Sequence, residues 1–153
     1  MFSLNNFLRL VLAWVLSGIL AVFIGVVSQT QFVLARLGQL GETISLSNRL
    51  SMTFYDLHHL GSLYGFFLLI AFAIAFTVSA LLYRIVKFGR PVIYGAAGGI
   101  AVFVLLFMMK AQFFNIHIIS GARDLPGISL QVIAGVLAGS LFSKLTQSKI
   151  KTD

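Results

Sequence analysis

The chain has 153 residues, 59% of them hydrophobic and only 10% charged, against about 25% charged in a soluble domain. With a mean hydropathy of +1.00, a chain this small cannot hide its apolar surface in a soluble core, so the bilayer must solvate most of it. The absence of cysteine excludes disulfides, thiolate metal sites, iron–sulfur clusters and cysteine nucleophiles, and the meaning of the net charge of +7 depends on where the charges stand.

The first apolar stretch, Leu10–Ser28, contains no charged residue. It matches the roughly 20 residues that cross a hydrocarbon core and exceeds the apolar run of a cleaved leader, so it reads as a retained transmembrane helix. Residues 29–59 follow as a long outer segment. Within it QFVLARLGQL is interrupted by Gln31, Arg36, Gly38 and Gln39 and is too short to span. A separate short helix at the membrane surface, broken by Gly38 and Gly41, is the expectation. Thr53 precedes Asp56 by three residues just ahead of the next apolar run, which is capping-box spacing and starts the second helix near Thr53.

Three further charge-free runs, Leu60–Tyr83, Pro91–Met109 and Leu125–Ser143, complete four spans, each helical because lipid offers backbone groups no partner. Pro91 and Pro126 suit the first turns of the third and fourth helices. Residues 1–153 thus form one integral membrane domain. The fold class is an all-α membrane protein, a four-transmembrane-helix bundle with a structured periplasmic loop (residues 29–52) between helices 1 and 2.

Orientation follows from the basic residues. Arg9, Arg84, Lys87, Arg90, Lys144, Lys149 and Lys151 stand on one side with Asp153, whereas Arg36, Arg49, Lys110 and Arg123 on the other side are matched by Glu42, Asp56 and Asp124. The basic excess places both termini in the cytoplasm. It reads as a topology signal with contact to anionic membrane lipids, and nucleic acid is not an expected partner.

Small residues recur at helical spacing: Ser17, Ala21 and Gly25; Gly61 and Gly65; Gly95 and Gly99; and a fourth-helix ladder of Gly127, Gln131, Gly135, Gly139 and Ser143. Such stripes let backbones approach closely in lipid. The last one would serve either sister helices or a partner subunit, including a second copy of the chain.

The residues with chemistry to offer cluster on the outer side: Arg49, Asp56, His59, His117 and Arg123, with Gln131 deeper in the fourth span. Asp56 and His59 share a helix face, so with His117 they could form a metal site; the alternative makes Asp56 a helix cap and the histidines interfacial residues with wet tips. Haem between His59 and His117 would place its ligands at span ends, and a quinone pocket would use Tyr64, His59 or Gln131. Gln131 reads either as a functional intramembrane group or as a hydrogen bond to Tyr64 or a backbone carbonyl. Arg123 before a helix N-terminus would seat an anion. No nucleophile motif or phosphate loop is present, and no cofactor is called for.

The runs GVVSQTQFVLARL (Gly25–Leu37), RLSMTFYDL (Arg49–Leu57) and IISGARDLPGISLQVIAGVLAG (Ile118–Gly139) resemble a group of small four-span proteobacterial inner-membrane proteins with no assigned activity. Members carry Asn where this chain has Val33 and often lack the pair His58–His59, which weakens a histidine metal site as a shared function. The resemblance implies a bacterial inner-membrane location. It also draws attention to Gln29, Thr30, Gln31 and Thr53, with Arg49 or Arg123 expected to pair with Asp56, and Gln29 and Thr30 expected to end the first helix. Removing Asp56 from such a buried pair would cost roughly 3–5 kcal/mol. The resulting functional expectation is a non-enzymatic accessory or assembly subunit, or a lipid-contacting protein. A small-solute transporter or channel lined by Gln131, Tyr64 and Ser62, and a redox or metal subunit, are the rival classes.

Overall fold

The computed structural model describes residues 4–41, 43–86, 88–112 and 125–147. Four α-helices account for nearly all of them: α1 (Leu4–Gln39), α2 (Leu46–Val86), α3 (Arg90–Gln112) and α4 (Leu125–Thr146). All four are long and apolar enough to cross a membrane. Each packs on its neighbours in chain order and α4 closes back on α1, so the helices stand in a ring with both described chain ends on one side. That side is called the terminal end below, and the opposite side the hairpin end.

Local chemistry sets the helix limits. α1 stops where Gly41 adopts φ +96°, a left-handed conformation that glycine takes without a side-chain clash. Ser45 then caps α2: its Oγ accepts from the Asn48 amide at 3.3 Å, and its carbonyl accepts from the Arg49 amide at 3.1 Å. Gly89 opens α3 by accepting from the Val92 amide at 2.8 Å, with Pro91 in the first turn as expected. The last carbonyls of α4 are taken by arginines. Arg9 donates to Leu145 at 2.7 Å and to Gln147 at 2.8 Å, and Arg90 donates to the Thr146 hydroxyl at 2.9 Å. Cations at a helix C-terminus satisfy orphan carbonyls and the negative end of the helix dipole together.

Two expectations are corrected here. The structured loop of residues 29–52 does not exist as such: α1 runs unbroken through QFVLARLGQ to Gln39, and only residues 40–45 separate it from α2. Leu34, Thr30 and Gln29 are buried along this extension, so packing holds a stretch of good helix formers in helix despite its polar interruptions. Thr53 is likewise no cap. It lies two turns inside α2, donating to the Arg49 carbonyl at 2.7 Å, and the cap is Ser45.

The core sits inside the ring. Leu68, Phe72, Val102, Ala134 and Ala138 are buried at its middle. Toward the terminal end Phe76 stacks on Phe72 and Phe142, with ring centroids 5.0 and 4.3 Å apart. The closest approach is between α3 and α4, where a methyl group on Gly98 or Gly135 would run into the other's carbonyl, and one on Gly139 would run into the carbonyl of Tyr94. Gly95 and Gly99 face Val136, while Gly61 and Gly65 face Val22 of α1. The small-residue positions therefore lie at helix contacts, and the fourth-helix ladder from Gly127 to Ser143 is buried against sister helices. Leucine, isoleucine and phenylalanine side chains cover the outside, as lipid contact requires.

Candidate functional site

A set of polar side chains forms a seam along α1 and α2 from mid-membrane to the hairpin end. Its deepest point is Gln131, 2% exposed. Gln131 Nε2 donates to the Gly25 carbonyl at 2.9 Å, and its Oε1 accepts from the Tyr64 hydroxyl at 3.1 Å. One amide thus ties α4 to α1 and α2 at once. The expected Tyr64 bond is present, and it comes with a second bond to a backbone carbonyl. Gly25 has to be glycine for this geometry, since a Cβ there would sit 2.5 Å from Gln131 Oε1.

Further along, Thr30 Oγ1 lies 2.8 Å from Asp56 Oδ2 and 3.0 Å from the Val26 carbonyl. The hydroxyl has one proton for two acceptors, and the closer, charged oxygen is the stronger competitor. Beyond it Gln31 bridges two α2 residues: its Nε2 donates to Thr53 Oγ1 at 3.2 Å, and its Oε1 accepts from Arg49 at 3.1 Å. Gln29 and Thr30 lie inside α1 and do not end it. Arg49 binds Gln31, so the expected pairing of Arg49 with Asp56 is replaced by two separate interhelix contacts.

His59 is exposed. Its ring stacks on Tyr55 with centroids 4.1 Å apart, and Nδ1 lies 3.0 Å from the Tyr55 carbonyl, an acceptor that calls for the Nδ1–H tautomer. Asp56, by contrast, turns toward α1. The two described members of the expected metal set therefore diverge, and among the described residues no group of three metal-ligating side chains converges. His117 and Arg123 lie outside the described residues. The three side chains expected to line a solute path are also separated: Gln131 and Tyr64 are buried, whereas Ser62 is exposed and donates to the His58 carbonyl at 2.6 Å.

Chemically, the seam is a set of hydrogen bonds satisfied by the protein itself. It can hold three helices in register. Sequence reasoning missed Ser45 and Gly98, and it read Arg9 and Arg90 only as topology charges. The signal for Ser45 was its position after Gly41 and ahead of a periodic run. Compared with known protein families, curated proteins and solved structures, the chain matches none.

Proposed function

We propose that this chain is a non-enzymatic accessory or assembly subunit of a bacterial inner membrane, with both termini in the cytoplasm. The observation that carries the reading is the closure of the polar seam: Gln131, Tyr64, Thr30, Asp56, Gln31, Thr53 and Arg49 bond one another or backbone across helix interfaces. A carrier or enzyme keeps some of its intramembrane polar groups open to substrate.

The fold leaves an apolar helix face available. Gln131 lies in the second turn of α4, while α1 and α2 continue several turns past the level of Gly25 and Tyr64. Leu46, Leu50 and Phe54 form an exposed stripe on α2 in this extension, at the i, i+4, i+8 spacing of a helix-docking face. The resemblance to small four-span proteobacterial proteins and the one-sided distribution of basic residues support the location and orientation.

The test is solubilisation in a mild detergent followed by sizing and identification of stoichiometric partners, comparing the wild type with a Leu50→Ser, Phe54→Ser double variant. A defined partner membrane subunit, lost in the variant while the bundle stays folded, is the expected result. A lone monomer both in detergent and after crosslinking in membranes refutes the reading. Reporter fusions at the C-terminus check orientation: alkaline phosphatase activity there would place that end outside.

A further inference from the structure

At the terminal end, away from the polar seam, the structure holds a cavity of about 350 Å³ bordered by all four helices. That is within the range of small-ligand sites. Its walls are mostly apolar, with Trp14 from α1, Phe76 from α2 and Phe142 from α4, and Arg90 at the start of α3 supplies the one charge in the lining. Ala73 and Thr77 of α2 border it as exposed residues, so the cavity opens sideways between α1 and α2 toward the lipid.

Arg90 is a half-buried cation with no acid in reach among the described residues. Its charge rests on the Thr146 hydroxyl and carbonyl at 2.9 and 3.3 Å and on the faces of Tyr94 and Tyr83, whose centroids are 5.3 and 6.0 Å away. Its Nε–H is buried and has no partner among the described residues, so the guanidinium is incompletely satisfied. Asp56 is the one acid among the described residues and lies at the opposite end; in the sequence, Asp153 follows Lys149 and Lys151 in the tail. A partly desolvated guanidinium with no counter-charge among the described residues is costly, and its planar fork matches two oxygens of a phosphate.

We infer that this cavity binds one anionic phospholipid, with the phosphate on Arg90 and an acyl chain entering between α1 and α2. The juxtaposition of cation and apolar space selects the occupant, since a free phosphate has no use for the apolar walls and a lipid without phosphate leaves Arg90 unmatched. Arg9, engaged with the Leu145 and Gln147 carbonyls, does not line this cavity. The surrounding basic residues Arg84 and Lys144 raise the local concentration of anionic lipid. This site is independent of the accessory-subunit reading.

The experiment uses the delipidated full chain in mild detergent, titrated with phosphatidylglycerol or with diacylglycerol of identical acyl chains. Native mass spectrometry reads the one-to-one adduct. The wild type should retain phosphatidylglycerol roughly tenfold better than diacylglycerol, a factor within the range of one charge-assisted pair. Arg90→Gln should erase that preference, and Arg90→Lys should keep part of it. Ala73→Phe, which fills the opening from an exposed position, should lose both adducts while helicity and elution stay unchanged. Equal retention of the two lipids by the wild type, an unchanged preference in Arg90→Gln, or full retention in Ala73→Phe overturns the proposal. So does protection against thermal unfolding by inorganic phosphate equal to that by phosphatidylglycerol, which would make this a solution-anion site. If Arg90→Gln fails to fold, Arg90→Lys and Ala73→Phe decide the matter on the same readout.

Discussion

Thr30 of α1 and Asp56 of α2 meet with 2.8 Å between hydroxyl and carboxylate. The contact is weaker than the buried ion pair expected for Asp56, because the carboxylate is only half-buried and Thr30 has a second acceptor in the Val26 carbonyl at 3.0 Å. Among the described residues, removing Asp56 therefore strands no charge. Asp56→Ala should lower bundle stability in detergent by about 1–2 kcal/mol, below the cost of breaking a buried ion pair from one side. Thr30→Val should cost a similar amount, and the double variant should cost less than the sum because both changes remove the same bond. Denaturation of the four proteins in one detergent checks this. A loss above about 4 kcal/mol for Asp56→Ala would restore the ion-pair account.

Gly25 and Gln131 form a second coupled pair. Gly25→Ala would put a methyl 2.5 Å from Gln131 Oε1 and 3.3 Å from a Tyr64 ring carbon, forcing the amide off both partners. The cost should be about 1–3 kcal/mol, as for other overpacked interiors. Gln131→Ala removes two interhelix hydrogen bonds, each worth roughly 0.6 kcal/mol in membrane bundles, and also loses packing. Because shortening residue 131 clears the space that a methyl group at position 25 needs, the double variant should be more stable than the sum of the single costs predicts. Strict additivity in thermal or denaturant unfolding would show that the two positions do not touch.

The glycines separate into those that meet backbone and those that meet side chains. At Gly98 a methyl group collides with the Gly135 carbonyl, and neither helix can move aside without opening the α3–α4 contact. At Gly61 the nearest atom is a Val22 methyl at 3.3 Å, which a small shift can relieve. Gly98→Ala should therefore destabilise by about 1–3 kcal/mol. Gly61→Ala should stay within about 1 kcal/mol of wild type, because the helix-propensity gain of alanine offsets the contact. The order of unfolding midpoints is the measurement, and Gly61→Ala falling below Gly98→Ala would contradict the assignment.

How much of this was legible in the sequence depended on whether the signal was local. The four spans were readable because long charge-free runs have one outcome in lipid, and the small-residue stripes pointed at the right helix faces. The extension of α1 was not readable. Gln31, Arg36 and Gly38 look like breaks until Gln31 is seen bonded to Thr53 and Arg49, residues distant in sequence whose register with α1 no local pattern encodes. Thr53 misled for a related reason: its spacing to Asp56 imitates a cap, but both side chains serve contacts made after α2 has already begun. Asp56 meets Thr30 in place of Arg49, since residue type alone does not say whether an acid meets an arginine or a threonine; its expected alternative, Arg123, lies outside the described residues.

The turn between α1 and α2 gives the last prediction, and it separates three residues whose roles look alike in sequence. Gly38 is helical, with no atom within 4 Å of a methyl placed there, whereas Gly41 holds φ +96° with equally open surroundings. Gly38→Ala should stabilise α1 by about 0.5–1 kcal/mol, because alanine gives up less conformational freedom in a helix. Gly41→Ala should destabilise by about 1 kcal/mol, since an L-residue resists the left-handed region that ends the helix. Ser45→Ala, which removes the acceptor for the Asn48 amide, should cost about 1 kcal/mol, whereas Ser45→Asp should retain the cap. All three positions are exposed, so packing changes do not obscure the comparison. Hydrogen exchange of the amides at residues 34–52 reads each helix end directly: faster exchange near Asn48 in Ser45→Ala, and near Gln39 in Gly41→Ala. If Gly38→Ala and Gly41→Ala shifted stability in the same direction, α1 would not end where the structure ends it.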